Sequence, residues 1–276
     1  MKKADLIINE NFNNLNLILQ EKPSLSSKVV LGVHKGGSTM LHSFIRVYSE
    51  GLRGSSKKFC AYNIPSMLFQ GGVTDEEFDD LSTIPKLIIA KKAACFYGWR
   101  QIPISFLRFK HRLARLKAVC LIRDPKDCAV SAYYSFLKTH RLPKDQTTKA
   151  AQNIIQQRKI WAEKSTDEYV LANIKRFAQE LYRVTAFAHP SLRIYKYEDV
   201  WLNKRWFFQD IIRHLELPYV ESSFENAMNK VDIKPGTDKN EHVRKGSPGD
   251  HKEKLTQSTI TMIDNDYRSL FDLYGY

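Results

Sequence analysis

The sequence predicts an α/β fold in which helices flank a central parallel β-sheet within a single domain, residues 1–276. Short apolar runs alternate along the chain with longer segments of helical periodicity, and this alternation is typical of a parallel sheet covered by helices. The first apolar run leads into a Gly-rich turn and then an amphipathic helix, which is the order of a phosphate-binding loop. No internal repeat or low-complexity linker divides the chain.

Four strands are predicted from short apolar runs, at Lys28–Val33, Lys86–Ala90, Ala118–Arg123 and Leu192–Tyr197. The Asp124-Pro125 pair is expected to end the third strand. Helical periodicity predicts helices over Asn9–Gln20, Met40–Glu50, Leu107–Leu116, Lys126–Leu137, Thr148–Glu163, Asp167–Ala188 and Trp201–Leu215, with a last helix closing the chain. The segment from Asn229 to Lys252 is polar and rich in Gly and charge, and it predicts a functional loop.

The charge of the chain favours an anionic partner. Lys and Arg total 43 against 30 Asp and Glu, a net charge of +13. The stretch from Lys86 to Arg123 contains no Asp or Glu and many cations. This stretch fits either a solvent-exposed basic face or a positively charged surface that attracts a charged nucleotide.

Cysteine usage and the N-terminus indicate a soluble protein of a reducing compartment, the cytoplasm. None of the four cysteines forms a C-x-x-C pair or lies at metal-ligand spacing from a His, so no metal is expected. Asp5, Asn9 and Glu10 interrupt any apolar leader. The longest apolar runs are far too short to span a bilayer.

The Gly-rich turn is close to a Walker A loop but differs from it at one position. In Gly32-Val-His-Lys-Gly-Gly37-Ser38-Thr39 the two glycines have the spacing of G-x-x-x-x-G-K-[ST], but Ser38 replaces the Lys, and Lys35 lies inside the loop instead. The backbone amides of such a loop can still hold a phosphate. No acidic residue ends a strand as in a Walker B motif. A turn without a ligand, a P-loop kinase or NTPase, and a non-catalytic basic protein that binds nucleic acid or another anion stay open.

Four segments together resemble the PAPS-dependent sulfotransferases, whose donor is 3'-phosphoadenosine-5'-phosphosulfate. The turn His34-Lys35-Gly36-Gly37-Ser38-Thr39-Met40 is similar to the family's 5'-phosphosulfate loop, P-K-S-G-T-T-W. Arg123-Asp-Pro-Lys-Asp-Cys-Ala-Val-Ser131-Ala-Tyr-Tyr-Ser-Phe136 resembles R-N-P-K-D-V-A-V-S-Y-Y-H-F, and Arg244-Lys245-Gly246-Ser-Pro-Gly249-Asp250-His-Lys252 resembles R-K-G-x-x-G-D-W-K. Tyr197-Glu198-Asp199 matches the family's Y-E-D. The segments run in family order, so the chain resembles a divergent member of the soluble, cytosolic type.

The resemblance implies a binding site for the donor. The loop residues Lys35, Gly36, Gly37, Ser38, Thr39 and Met40 would lie at the 5'-phosphosulfate, with Lys35 at the leaving oxygen. Arg123 and Ser131 would bind the 3'-phosphate. Arg244, Lys245 and the Gly246 amide would cover the same phosphate from the C-terminal loop. Tyr197 would reach the adenine edge and Phe224 would stack on adenine. A surface charge for Arg123 and a core contact for Phe224 are the competing interpretations.

Four departures from the family pattern stand out, and the last of them leaves the catalytic base open. Met40 and His251 stand where the family has Trp, and His34 stands where it has Pro. The cytosolic branch ends its second strand with K-T-H, whose His is the base, whereas Lys86–Ala90 is followed by Lys91-Lys92-Ala93. We expect His34 first and Lys92 second as the base, and the carboxylates Glu50, Glu76 and Glu77 stay open. His34 could equally be a packing residue of the loop.

The expected reaction is sulfuryl transfer from PAPS to a hydroxyl or an amine or amide nitrogen of a small molecule, with release of PAP. The expected partner is therefore a small-molecule acceptor, without nucleic acid or membrane, and a homodimer stays open. The acceptor pocket is expected to include Phe59–Phe78, Ala94–Trp99 and parts of the helices after Leu137. Aromatic residues mixed there with acidic ones favour a small polar or cationic acceptor as readily as a phenol.

Overall fold

A computed structural model describes residues 27–52, 60–70, 78–90, 94–139, 149–232 and 246–276. The predicted helix Asn9–Gln20 lies outside these ranges. The chain divides into two compact units: Met1–Ile122 with Arg183–Asp232, and Arg123–Tyr182 with Ile233–Tyr276. Among the described residues, no helix combines the length and the apolar character that crossing a bilayer requires.

The first unit contains a five-stranded sheet with strand order β2-β3-β1-β4-β5. All neighbouring strands are parallel, which confirms the predicted fold class. The strands are β1 (Lys28–Gly32), β2 (Cys60–Asn63), β3 (Ala94–Trp99), β4 (Lys117–Ile122) and β5 (Leu192–Lys196).

Helices follow most strands along the chain. In chain order they are α1 (Ser38–Leu52), α2 (Ile64–Gln70), α3 (Thr83–Ala90), α4 (Ile104–Arg108), α5 (Lys110–Leu113), α6 (Pro125–Tyr134), α7 (Lys149–Ala162), α8 (Thr166–Phe187), α9 (Tyr197–Leu202), α10 (Lys204–His214), α11 (Glu221–Val231), α12 (His251–Lys254), α13 (Gln257–Asp266) and α14 (Arg268–Tyr274). A π-helical turn, Ser135–Thr139, continues α6.

Helix α1 joins the sheet to the aromatic core of the first unit. Leu41, Phe44, Ile45, Tyr48 and Leu52 recur at helical spacing and are all buried. The ring of Phe44 stacks on that of Phe208, with centroids 3.8 Å apart. Burial of this face fixes α1 against the strands, so the turn between β1 and α1 is held at both ends.

The prediction of a strand at Lys86–Ala90 is wrong, because these residues belong to helix α3. A short apolar run fits a buried helix as well as a strand, and Pro85 lies in the first turn of α3, where proline is tolerated. Strands β2 and β3 were not predicted.

Three predicted segments are broken differently in the structure. The helix expected over Leu107–Leu116 is the pair α4 and α5. The helix expected over Trp201–Leu215 is divided at Asn203, whose side chain accepts a hydrogen bond from the Trp206 amide at 3.2 Å and so begins α10. The predicted loop from Asn229 begins inside α11, which ends at Val231.

The Asp-Pro pair follows the end of β4, as predicted, and it also begins helix α6, one residue before the predicted start at Lys126. The Asp124 side chain accepts a hydrogen bond from the Lys126 amide at 2.8 Å, and Pro125 occupies the first helical position. Both features are typical of a helix start. Arg123 lies between the end of β4 at Ile122 and the start of α6 at Pro125.

Candidate active site

The turn from His34 to Gly37 joins β1 to α1 at the carboxyl end of the central strand. The Gly36 amide donates to the Val33 carbonyl at 3.1 Å, and the Leu41 amide donates to the Gly37 carbonyl at 3.2 Å. Because Leu41 makes the first i→i−4 bond, the amides of Ser38, Thr39 and Met40 have no such partner within α1. These amides and the helix dipole make this end of α1 suited to an anion.

Gly37 is required by both its backbone and its surroundings. Its φ is +89°, which disfavours a side chain, and a Cβ at this position would lie 2.6 Å from Cδ2 of Tyr197 and 3.2 Å from Cδ2 of Leu121. The ring of Tyr197 therefore packs directly against the loop. This contact gives Tyr197 a structural role that the sequence did not predict.

The remaining loop residues differ in their exposure. Lys35 adopts φ +62°, a left-handed conformation that is uncommon outside glycine. His34 and Lys35 are half-buried, Gly36 and Ser38 are buried, and Thr39 is exposed. Met40 packs against the hydrophobic core of the first unit, where the family pattern has an adenine-stacking Trp.

The second unit contains a buried network around Asp127 on α6. One carboxylate oxygen of Asp127 accepts from Nη2 of Arg123 at 3.2 Å and from the Gly249 amide at 2.7 Å. The other accepts from the His251 amide at 2.9 Å and from Nδ1 of His251 at 2.7 Å. Burial alone would raise the pKa of Asp127, but the His251 hydrogen bond and the Arg123 charge hold it well below its ordinary value. Asp127 is therefore ionised at neutral pH.

Arg123 and Ser131 lie in the second unit with part of the C-terminal motif. Arg123 is buried, and its Nη2 also contacts the Ser247 carbonyl at 3.3 Å. Ser131 lies one turn beyond Asp127 on α6 and is half-buried. Gly246 has φ +72°, whereas the other two predicted ligands from this motif, Arg244 and Lys245, lie outside the described residues.

Phe224 is a core residue of the first unit. It is fully buried and meets the ring of Phe44 edge to face, with centroids 5.7 Å apart. The guanidinium of Arg205 lies 5.4 Å from its ring centroid. This burial favours the core interpretation over stacking on adenine.

The assignment of Lys92 as a base depended on a strand predicted at Lys86–Ala90, but these residues belong to helix α3. Lys92 lies outside the described residues, and the next strand along the chain is β3, which pairs with β1 and begins only at Ala94. The residue after the last residue of β3 is Arg100, so no His ends this strand. The sequence assignment of Lys92 therefore loses the strand on which it depended and stays a prediction without structural support.

His42 on α1 is a histidine that the sequence analysis missed. Its ring lies 5.9 Å from that of Tyr97 on β3, and its Nε2 is buried with no hydrogen-bond partner among the described residues. Burial, with a smaller contribution from the charge of Arg100, lowers the pKa of His42 to about 3. His42 is therefore neutral at physiological pH and is a weak proton acceptor.

Glu50, one of the carboxylates left open as the base, and Asp79, which follows the segment expected at the acceptor pocket, are both engaged in ion pairs. Glu50 pairs with Arg46 at 3.1 Å on the exposed face of α1. Both carboxylate oxygens of Asp79 accept from Arg183 at 3.0 Å. Glu76 and Glu77 lie outside the described residues.

Comparisons with known proteins agree with this fold. A mouse sulfotransferase, SULT7A1, in a complex with PAP has a TM-score of 0.53 at 14% identity, over 89% of this chain and 84% of that one. Retinol dehydratase, in a complex with androsterone and PAP, has a TM-score of 0.50 at 14% identity, over 89% of this chain and 80% of that one. No curated protein sequence matches the chain. The family model described as a sulfotransferase domain matches residues 26–275, and the chain therefore belongs to the sulfotransferase family.

Proposed function

We propose that the protein transfers a sulfuryl group from PAPS to a hydroxyl or an amine or amide nitrogen of a small molecule and releases PAP. The observation that carries the proposal is the loop between β1 and α1, which Tyr197 and the left-handed Gly37 hold in place. The loop presents the amides that begin α1 together with Lys35, and these groups suit the 5'-phosphosulfate of PAPS. A Mg-nucleoside triphosphate fits less well, because Ser38 replaces the Walker A Lys that contacts the β- and γ-phosphates. The family of the chain supplies the reaction class.

In-line sulfuryl transfer needs positioning and charge stabilisation more than covalent help from the protein. Negative charge develops on the oxygen that bridges the 5'-phosphate and the sulfuryl group as their bond breaks. Lys35 would neutralise that oxygen, and the amides and hydroxyls of Ser38 and Thr39 would hold the phosphate. Because this charge is largest in the transition state, Lys35 would act on turnover more than on donor binding.

The 3'-phosphate of the donor would be bound by the residues of the second unit. Arg123 supplies a guanidinium held at Nη2 by Asp127 and the Ser247 carbonyl, and Ser131 supplies a hydroxyl on α6. Arg244, Lys245 and the Gly246 amide complete the proposed set. Since the family model spans residues of both units, we further propose that the two units belong to one sulfotransferase domain.

The acceptor must lose a proton as it attacks, and His34 is the proposed base. It is half-buried and precedes Lys35 directly in the loop, so its side chain belongs to the same turn as the group that stabilises the leaving oxygen. A neutral imidazole can take up a proton near neutral pH.

The test of the proposed function is a transfer assay with ³⁵S-labelled PAPS and a panel of phenols, alcohols and amines. We expect labelled product with at least one acceptor and stoichiometric release of PAP, without added metal. Lys35→Ala should lower kcat by about 10²-fold, the scale of removing one charge-stabilising donor, while PAP affinity falls less. Lys86→Ala, which removes an exposed lysine from α3, is the control and should keep wild-type turnover. Transfer of the γ-phosphate of Mg-ATP in place of the sulfuryl group would contradict the proposal.

A further inference from the structure

The Asp127 network joins two segments that are far apart in the sequence. Arg123 lies just before α6 and Asp127 lies in its first turn, whereas Gly249 and His251 belong to the C-terminal motif, more than a hundred residues later. The carboxylate of Asp127 is only 1% exposed. Each of its oxygens accepts two hydrogen bonds, so the carboxylate has little capacity to adjust if one partner is removed.

His251 makes a side-chain contact with Asp127 at a position where the family pattern has Trp. An ionised carboxylate can only accept hydrogen bonds, so Nδ1 of His251 must carry the proton that it shares with Asp127 at 2.7 Å. The motif that this segment resembles has Trp at this position. The second hydrogen bond from residue 251, through its backbone amide, does not depend on the side chain. The imidazole therefore adds a specific side-chain contact to an anchor that the backbone already makes.

A second set of charged side chains, Asp124, Lys126 and Asp264, lies next to the Asp127 network. Oδ2 of Asp124 lies 3.9 Å from Nδ1 of His251, and the same carboxylate oxygen lies 3.4 Å from the Lys126 ammonium. Lys126 also pairs with Asp264 on α13 at 2.8 Å. The Lys126–Asp264 ion pair involves neither Arg123 nor the segment from Gly246 to His251, so it provides a matched control within the same unit.

We propose that Asp127 and His251 are positioning residues that set the preference of the protein for a 3'-phosphorylated nucleotide over its 3'-hydroxyl counterpart. Asp127 fixes the guanidinium of Arg123 at Nη2, and the pair anchors the backbone from Gly249 to His251, which follows Gly246. The inference rests on the proposed function, because it assigns the 3'-phosphate to Arg123 and Gly246. The inference goes further because it makes Asp127, an acidic residue, a determinant of the affinity for the 3'-phosphate.

The sign of the effect separates positioning from simple electrostatics. Asp127 carries a negative charge next to Arg123, so removing that charge should strengthen binding of a phosphate if only the charge mattered. If Asp127 instead acts by orienting Arg123 and the C-terminal segment, Asp127→Asn should weaken it. Asn keeps the size of the side chain but replaces one accepting oxygen with an NH₂ group. This group donates hydrogen bonds, so it cannot accept those from the Gly249 amide and the Arg123 guanidinium, which Oδ2 of Asp127 accepts.

The experiment measures the affinities of PAP and AMP by titration calorimetry for each variant of the full chain. AMP lacks only the 3'-phosphate. Asp127→Asn and His251→Phe should each weaken PAP by about tenfold, the scale of one lost hydrogen bond to a charged group, and change AMP less than about twofold. His251→Asn, which restores a side-chain donor, should recover part of the PAP affinity. Asp264→Asn should leave the PAP-to-AMP ratio unchanged.

The outcomes distinguish this inference from the function on which it rests. Equal affinity of the wild-type protein for PAP and AMP would contradict the proposed function itself. A wild-type preference for PAP that survives in both variants would overturn the positioning role. An equal loss of PAP and AMP affinity would overturn it as well, because that pattern shows general damage to the fold. If Asp127→Asn does not fold, the comparison of His251→Phe with His251→Asn decides the matter.

Discussion

Among single residues, His34 and Lys92 differ in how the structure supports them as the catalytic base. His34 lies in the loop beside Lys35, whereas Lys92 lies outside the described residues, and the segment Lys86–Ala90 that precedes it belongs to helix α3 instead of the predicted strand. His42, the other histidine of this region, has a pKa of about 3 because it is buried and near the charge of Arg100. It does not change its protonation between pH 5 and 9.

The role of His34 predicts a change in the pH dependence of turnover. With PAPS saturating, His34→Ala should lower kcat by about 10²-fold or more and remove the rise of kcat with pH that reports the base. Lys92→Ala should keep both the rate and the profile. His42→Gln is the control: its rate can change through packing, but the shape of its profile should match that of the wild-type protein.

Two results would contradict this assignment. If His34→Ala and Lys92→Ala both keep the wild-type rate and profile, neither residue is the base, and Glu76 and Glu77 become the candidates to test. If Lys92→Ala alone loses the rising limb, the assignment made from the family pattern is correct and the loop histidine has a packing role.

At the scale of elements, the loop and helix α1 depend on the contact between Gly37 and Tyr197. Gly37 and Gly249 both adopt positive φ, +89° and +85°, but a Cβ at Gly37 would meet Tyr197 at 2.6 Å whereas a Cβ at Gly249 would have no atom within 4 Å. The two glycines therefore form a matched pair. Alanine introduces similar backbone strain at both positions and a steric clash at only one.

We predict that Gly37→Ala lowers the free energy of unfolding more than Gly249→Ala does. Gly249→Ala should cost about 1 kcal/mol, the order expected for alanine at positive φ. Gly37→Ala should cost more and should also weaken PAP binding, because the ring of Tyr197 or the loop must move. Denaturant unfolding of both variants gives the comparison. Equal losses of stability would show that Tyr197 does not constrain the loop.

The elements that the sequence predicted correctly are those with strong local signals. β1, β4 and β5 are short apolar runs next to a Gly-rich turn, an Asp-Pro pair and a Tyr-Glu-Asp segment. β2 and β3 have weaker signals: β3 contains Gly98 at φ +111°, which packs against Asn63, and glycine disfavours a strand. The position of β3 beside β1 is set by its pairing with β1 and β2, and a single sequence does not show which strands pair.

The sequence motifs name candidate site residues by their type, but they do not show how these residues pack. The motifs identified Lys35, Arg123 and Ser131 because the chemistry of anion binding requires such groups. They did not identify Tyr197 as a support of the loop or Asp127 as the acceptor that joins Arg123 to His251. Those roles come from contacts between segments distant in sequence, 160 residues apart for Gly37 and Tyr197.

For the whole molecule, Asp127 links stability to pH. Its pKa in the folded protein lies well below the ordinary value, so its contribution to stability is complete above about pH 4 and is lost as the pH falls toward the folded value. Asp127→Asn should therefore lower the free energy of unfolding by about 3 kcal/mol at pH 7, the order for a broken buried ion pair. The difference from the wild-type protein should shrink below about pH 4.

Glu168 provides the control for this linkage. Hydrogen bonds from the Ser165 amide and Lys164 lower the pKa of Glu168 to about 2, but its surroundings are exposed to solvent. Solvent screens such contacts, so Glu168→Gln should change the unfolding free energy far less than Asp127→Asn. A difference for Asp127→Asn that stays constant from pH 7 to pH 3 would contradict the assignment of an ionised, buried Asp127.

The most direct measurement of the central claim is the shift in melting temperature that nucleotides cause. A ligand stabilises a protein only through its affinity for the native state, and binding of the donor does not require the acceptor to be known. The account predicts that PAP raises the melting temperature clearly, whereas ADP and AMP at the same concentration raise it far less, because only PAP carries the 3'-phosphate proposed to bind Arg123, Ser131 and Gly246. Equal shifts from PAP and ADP would contradict the account.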